Sequence, residues 1–140
     1  LMQVMPGTAR DVASDLGLLS LHSVGRLTTD PDYNARLGAE YLSQMAGRFD
    51  GNVVMMAAAY NAGPARPPKW ISEYGDPRSG RIDIVDWIEM VPFRETRNYI
   101  MRVTESLPIY RARLGKDPLP IPFSKELVGA TLKSFAPKGE

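Results

Sequence analysis

Residues 52–63 read NVVMMAAAYNAG. From Val53 to Ala59 every side chain is apolar or small. A helix with apolar residues on all sides offers no face to water, so it belongs at the centre of a core. Asn52 is placed to cap it, its side-chain oxygen taking a first-turn amide. The run then closes on Tyr60, Asn61, Ala62 and Gly63, with Pro64 beyond. Two polar side chains therefore stand at the wall of whatever lies past the helix, and buried polar groups need partners. Asn61 as a plain helix-end residue, and Tyr60 as a core aromatic with a satisfied hydroxyl, are the alternatives from these residues alone.

Working outward, the pattern is helical on both sides. Upstream, residues 28–52 read TTDPDYNARLGAEYLSQMAGRFDGN. Asp30 is a natural N-cap and Pro31 suits the first helical position. Tyr33, Leu37, Tyr41, Leu42, Met45 and Phe49 form an apolar stripe, and Gly51 is placed to end the helix. Nearer the start, Thr8 can cap a helix carrying Ala9, Val12, Ala13 and Leu16, with Gly17 as its stop. Downstream, residues 64–80 are loop-rich, with a short helix around Trp70 to Tyr74. Asp83 caps another through Trp87, and Pro92 marks a break. A long helix from Glu95 to Leu114 carries Tyr99, Val103, Leu107, Tyr110 and Leu114 on one side, with Pro108 inside it. The Pro-rich residues 115–140 are expected to form an extended tail packed on the domain. No segment alternates as a strand does, so the fold class is all-α.

Composition narrows the chemistry. The chain has 140 residues, 44% of them hydrophobic, enough for a real core. Its formal net charge is +1, which is no basic stripe for a nucleic acid. There is no cysteine, which excludes disulfides, thiolate catalysis and Cys-based zinc sites. The single histidine, His22, has no carboxylate nearby in sequence, so neither a Ser-His-Asp triad nor a metal site is expected. No cofactor is implied. The longest apolar run is far too short to span a membrane.

Four stretches depart from what packing alone would choose. In LMQVMPGTA, Gln3 stands between Met2 and Met5, and a carboxamide both donates and accepts, as sugar hydroxyls and N-acetyl groups require. AAAYNAG holds Tyr60 and Asn61. VPFRETRNYI holds Glu95, Thr96 and Tyr99, with Glu95 and Tyr99 one turn apart on one helix face. Trp70, Tyr74, Trp87 and Phe93 are either core or platforms for sugar rings. Each has a bland reading: a loop Gln on backbone, a helix-end Asn, an acidic first turn that offsets the helix dipole.

Taken in order, LMQVMPGTA, AYNAGP and WIEMVPFRETRNYIMRV resemble the catalytic domain of the soluble lytic transglycosylases, bacterial enzymes that cut peptidoglycan on a lysozyme-like helical fold. The resemblance covers residues 1–114. It implies that Gln3 and Met5 line a sugar groove, and that Ala59, Tyr60 and Asn61 follow the family's Ala-Tyr-Asn, with the tyrosine hydroxyl near the catalytic carboxylate. It puts Glu95, Thr96 and Tyr99 at the same groove. The partners it implies are peptidoglycan glycan strands, the bond cut is MurNAc-GlcNAc β-1,4, and the product is a 1,6-anhydro-MurNAc end. It also implies a periplasmic location.

The family's general acid/base is a Glu of a Glu-Ser pair standing before a Gly-Leu-Met-Gln motif, and residue 1 falls inside that motif. The expectation is therefore a lysozyme-like domain lacking the first catalytic helix, with an upstream helical region of the same polypeptide as its partner. No carboxylate of this chain is an obvious substitute. Glu95 opens a helix, where the dipole favours the charged form, the wrong state for a proton donor. The 140-residue chain is thus expected to be inactive alone and marginally stable. The competing readings are a non-catalytic glycan-binding domain and a goose-type lysozyme that hydrolyses instead of cyclising.

Overall fold

Helices account for all the regular structure of residues 1–139, which the computed structural model describes. The chain forms two units, Leu1–Gln44 and Met45–Glu140. This is the all-α architecture expected from the sequence. Among the described residues no helix is long and apolar enough to cross a membrane.

The first unit is built on helix α1, Pro6–Asp15, the short α2, Arg26–Thr29, and the start of α3, Pro31–Arg48. Helix α1 begins before Thr8. Met5 is its N-cap and gives no side-chain bond, and Pro6 occupies the first turn, where a missing N–H costs nothing. Ala9, Val12 and Ala13 meet Tyr33 and Leu37 in a buried cluster edged by Val4, Leu16, Leu18, Leu27 and Tyr41. Asp30 caps α3 as the sequence suggests, its Oδ1 accepting from the Tyr33 amide at 3.0 Å. The stripe on α3 is wider than its buried face, for Leu42 is exposed. His22 donates to or accepts from the Tyr33 hydroxyl at 2.6 Å, a structural pairing within this unit.

The second unit is organised around helix α4, Val53–Ala62. Val53 through Ala59 are all buried, as an apolar-all-round helix must be. Asn52 caps it, accepting from the Met55 amide at 2.9 Å. Gly51 precedes it at φ +69°, and a Cβ there would collide with the Lys133 backbone, so only glycine fits. Helix α5, Arg66–Tyr74, starts four residues earlier than the expected Trp70. Pro67 and Pro68 do not prevent this, because first-turn amides have no intrahelical acceptor to lose. Helix α6, Ile84–Met90, is capped by Asp83, which accepts from the Val85 amide at 2.8 Å.

Helix α7, Arg94–Arg113, packs along α4 with Thr96, Ile100 and Thr104 buried. This is not the apolar stripe read from the sequence. Tyr99, Val103 and Leu107 are half-buried, and Tyr110 and Leu114 are exposed. The threonines can be buried because their hydroxyls are satisfied: Thr104 donates to the Ile100 carbonyl at 2.9 Å, inside its own helix. The segment expected to be extended carries helix α8, Phe123–Val128. Its Glu126 is buried, accepting from Arg111 Nη2 at 2.9 Å and from the Thr131 hydroxyl at 2.6 Å. Asn52 Nδ2 donates to the Leu127 and Gly129 carbonyls at 3.0 and 2.9 Å. One side chain thus both starts the central helix and holds the C-terminal segment against it.

Candidate functional site

The site lies where α4 ends and α7 begins. Gly63, at φ +95°, stops α4 and leaves Tyr60, Asn61 and Ala62 in its last turn. Val91, Pro92 and Phe93 turn the chain into α7, and Arg97 Nη1 secures the turn by donating to the Val91 carbonyl at 2.6 Å. These two local stops bring residues 35 apart in sequence into hydrogen-bond contact: Thr96 Oγ1 donates to Asn61 Oδ1 at 2.7 Å. The bond fixes the amide of Asn61. Its oxygen is taken by Thr96, so its NH₂ group is the end left to serve a ligand.

Next to them, the rings of Tyr60, which immediately precedes Asn61, and Tyr99, about one turn beyond Thr96, lie nearly parallel, at 3° and 6.5 Å between centroids. Burial pushes the Tyr99 phenol up from its ordinary value, so it is a neutral hydrogen-bond donor at physiological pH. A cleft of about 520 Å³ is walled by Asn61, Ala62, Pro92, Phe93, Arg94, Glu95 and Thr96, while Tyr99 lines a separate groove with Arg102, Val103, Ser106, Leu107 and Tyr110. The region combines the Asn61 amide donor, the neutral Tyr99 phenol and the partly exposed Phe93 ring. Those groups suit uncharged polyhydroxyl ligands with acetamido substituents better than a phosphate or a metal ion.

The residues singled out from the sequence fall into three kinds of place. Tyr60, Asn61, Thr96 and Tyr99 come together as described. Glu95 is exposed in the first turn of α7, at the cleft wall. Ala59 has no exposed surface, so its methyl belongs to the core and meets no ligand. Thr96 is 2% exposed, and its hydroxyl is committed to Asn61; it orients a neighbour and is not itself open to a ligand.

Gln3 and Met5 belong to the first unit and are described within it. Both are exposed, and Gln3 has a left-handed backbone at φ +53°. That conformation costs a residue with a Cβ about 1–2 kcal/mol. It is held by its neighbour: the Met2 amide donates to Asn34 Oδ1 at 2.9 Å, and Asn34 Nδ2 donates in turn to the Leu27 carbonyl at 2.9 Å. The result is a carboxamide presented to solvent on an anchored backbone.

The aromatic set divides. Trp70 and Trp87 are buried and edge-to-face at 6.3 Å, so both are core. Phe93 packs its edge against Trp70 at 5.8 Å but is 38% exposed at the cleft. Two residues at this cleft escaped the sequence reading, Arg94 in its wall and Arg66, whose guanidinium lies 5.1 Å from the Phe93 ring centroid. A signal existed: both open a helix, where a cation opposes the dipole. Among the described residues, no group of His, Cys, Asp and Glu is arranged to hold a metal ion.

A family model described as "Transglycosylase SLT domain" matches residues 1–81. The chain is 38% identical to the soluble lytic murein transglycosylase of Escherichia coli K12 over 118 residues, 84% of this chain and 18% of that protein. It is 36% identical over 116 residues to the protein of that name from Salmonella typhimurium, 83% of this chain and 17% of the relative. The chain therefore spans less than a fifth of the length of these relatives. No solved structure matches it.

Proposed function

The chain belongs to the transglycosylase SLT domain family, and on that premise we propose that it is the glycan-holding part of a peptidoglycan lytic transglycosylase. The reaction is cleavage of the MurNAc-GlcNAc β-1,4 bond. A carboxylic acid protonates the glycosidic oxygen as it leaves C1 of MurNAc. The C6 hydroxyl of the same MurNAc attacks C1, and the carboxylate takes up its proton. No water is consumed, and the product is a 1,6-anhydro end. One carboxyl group serves first as acid and then as base, where glycosidases ordinarily use two.

The observation that carries this reading is the joined end of α4 and α7. The Thr96–Asn61 bond and the Tyr60–Tyr99 stack rest on motif residues, and Asn61 and Thr96 border an open cleft. In the reading, Asn61 donates to an acetamido or hydroxyl oxygen, and the ring pair backs a sugar. Tyr99 gives a hydrogen bond without surrendering its proton. Gln3 and Met5 are read as glycan-binding residues of the first unit. Glu95 binds substrate and does not act as the acid, being exposed at a helix start. The general acid/base role is assigned to no carboxylate among the described residues, and the 140-residue chain is expected to bind glycan without turning it over. Because murein lies in the cell envelope, the site of action is the periplasm.

Co-sedimentation with purified sacculi tests the binding half, and mass spectrometry of the soluble products tests the chemical half. Binding without 1,6-anhydromuropeptides is expected. Failure to bind would refute the glycan reading. Abundant anhydro product from this chain would show that one of its own carboxylates is the acid.

A further inference from the structure

Helix α7 buries the side that carries its threonines and leaves bulkier apolar side chains uncovered at its far end. Thr96, Ile100 and Thr104 are buried, while Ile109, Tyr110 and Leu114 are 60, 64 and 72% exposed. With Arg113 they fall at i, i+1, i+4 and i+5, so they share one side of the last turns. Leu119, just past the helix, is exposed as well. This end is not a frayed tail. The Leu114 amide donates to the Tyr110 carbonyl at 3.0 Å and the Lys116 amide to the Arg111 carbonyl at 2.9 Å, with Gly115 at φ +71° making the turn. The Leu119 amide donates to Asp117 Oδ1 at 3.0 Å, and Arg111 is anchored on buried Glu126.

The charge around these side chains is one-sided. Residues 109–125 hold four basic residues and one acidic, in a chain whose formal net charge is +1. Arg111 is neutralised by Glu126, and the one acid, Asp117, is turned back onto its own loop. Arg113, Lys116 and Lys125 are exposed, and among the described residues none of them is in an ion pair. Lys125 belongs to this end because Glu126, the next residue, is bonded to Arg111. The helix dipole accounts for Arg113 in the last turn but not for Lys116, which lies past it. Bare aliphatics and a tyrosine, set among cations and short of acids, suit an anionic lipid surface. The aliphatics enter the acyl boundary, the phenol sits at the headgroups, and the cations meet the phosphates. A second copy fits worse, since pairing this end with itself brings two sets of cations together. A nucleic acid would leave the aliphatics in water.

We propose that the C-terminal end of α7 is a lipid-docking surface, taking an anionic bilayer through Ile109, Tyr110, Leu114 and Leu119 with Arg113, Lys116 and Lys125 at the headgroups. The inference does not rest on the glycan reading. The candidate glycan site opens at the other end of the same helix, and at 1.5 Å per residue Glu95 and Tyr110 stand about 20 Å apart along it. Lipid and glycan can therefore be held at once.

Co-sedimentation of this chain with phosphatidylcholine vesicles, made with and without phosphatidylglycerol, tests it. Binding to the anionic vesicles should be about tenfold tighter than to the neutral ones, the effect of two or three cations at a charged surface, and should weaken as salt is raised. Ile109→Ser with Leu114→Ser should lower it about tenfold. Lys116→Gln with Lys125→Gln should bring the two kinds of vesicle closer together. Leu114→Trp gives a local signal, because Trp70 and Trp87 are buried: its emission should shift to the blue and escape acrylamide quenching on anionic vesicles. Circular dichroism melts establish that each variant is folded; should the serine pair unfold the chain, the lysine pair and the tryptophan probe decide. No binding to anionic vesicles overturns the proposal. So do equal binding to both kinds, binding that the folded variants leave unchanged, and a residue 114 that stays open to acrylamide. Dimerisation in ultracentrifugation that the serine pair abolishes, without vesicle binding, overturns it in favour of a second copy. None of these results bears on sacculus binding, so the glycan reading stands or falls separately.

Discussion

Asn52 is the residue whose loss should be felt most widely for its size. It is 1% exposed and spends its whole side chain on three hydrogen bonds: one from the Met55 amide, and one each to the carbonyls of Leu127 and Gly129. Asn52→Ala removes an N-cap, worth about 1 kcal/mol. It also leaves two carbonyls without a donor, at about 1 kcal/mol each for neutral bonds. The expected loss is about 3 kcal/mol, a large part of a typical domain stability of roughly 5–15 kcal/mol. In a chain of this size that lowers the melting temperature by about 10 °C. Asn52→Ser separates the terms, because a serine still caps but does not reach both carbonyls. It should recover about 1 kcal/mol of the loss. Asn52→Asp should be the worst of the three, for it sets a buried carboxylate against two carbonyl oxygens. Urea unfolding followed by circular dichroism gives the energies. Hydrogen exchange gives the location: the Leu132 amide, bonded to the Gly51 carbonyl at 3.0 Å, should lose protection in all three variants. An Asn52→Ala loss below about 0.5 kcal/mol, with Leu132 still protected, would refute the claim that one side chain joins α4 to the C-terminal segment.

Other outcomes follow from single contacts. Thr96→Val deletes the donor that orients Asn61; it should cost about 1 kcal/mol and weaken sacculus binding about threefold, and Thr96→Ser should restore both. Trp87→Ala, at a fully buried ring, should cost about 3–5 kcal/mol in urea unfolding. Trp87→Phe should cost far less, since the indole N–H it removes has no partner among the described residues. Hydrogen bonds from Arg78 hold the Asp76 carboxyl below its ordinary value. A folded value below the unfolded one means that this stabilisation is whole above about pH 4 and is lost as pH falls through the folded value. The stability gap between wild type and Asp76→Asn, measured by urea unfolding across acidic pH, should therefore close as the solution is acidified below that point.

Much of the fold was legible because it is local. Asn52, Asp30 and Asp83 cap their helices through amides two or three residues away, and Gly51 and Gly63 break the chain where φ must be positive. None of these needs a distant partner. Helix α4 was legible for a second reason, since no arrangement leaves Val53 through Ala59 a reason to face water. Helix α7 was misread because its sequence has apolar residues on one side and threonines on another, and periodicity favours the apolar side. The choice of buried face depended on Asn61 taking the Thr96 hydroxyl, and on Thr104 bonding within its own helix. Burial of Glu126 likewise depended on Arg111, 15 residues before it.

By itself, then, the sequence determined the all-helical class, the central helix α4, the caps of α3, α4 and α6, and the motif residues from which the family can be read. Those follow from short-range sterics and hydrogen bonding, which the chain carries wherever it is. Only the tertiary structure decided which side of α7 is covered, that Ala59 is core while Asn61 is oriented by Thr96, and that Arg66 and Arg94 flank one cleft. A polar or charged group's place depends on which partner reaches it, and that partner is set by packing between segments far apart in the chain.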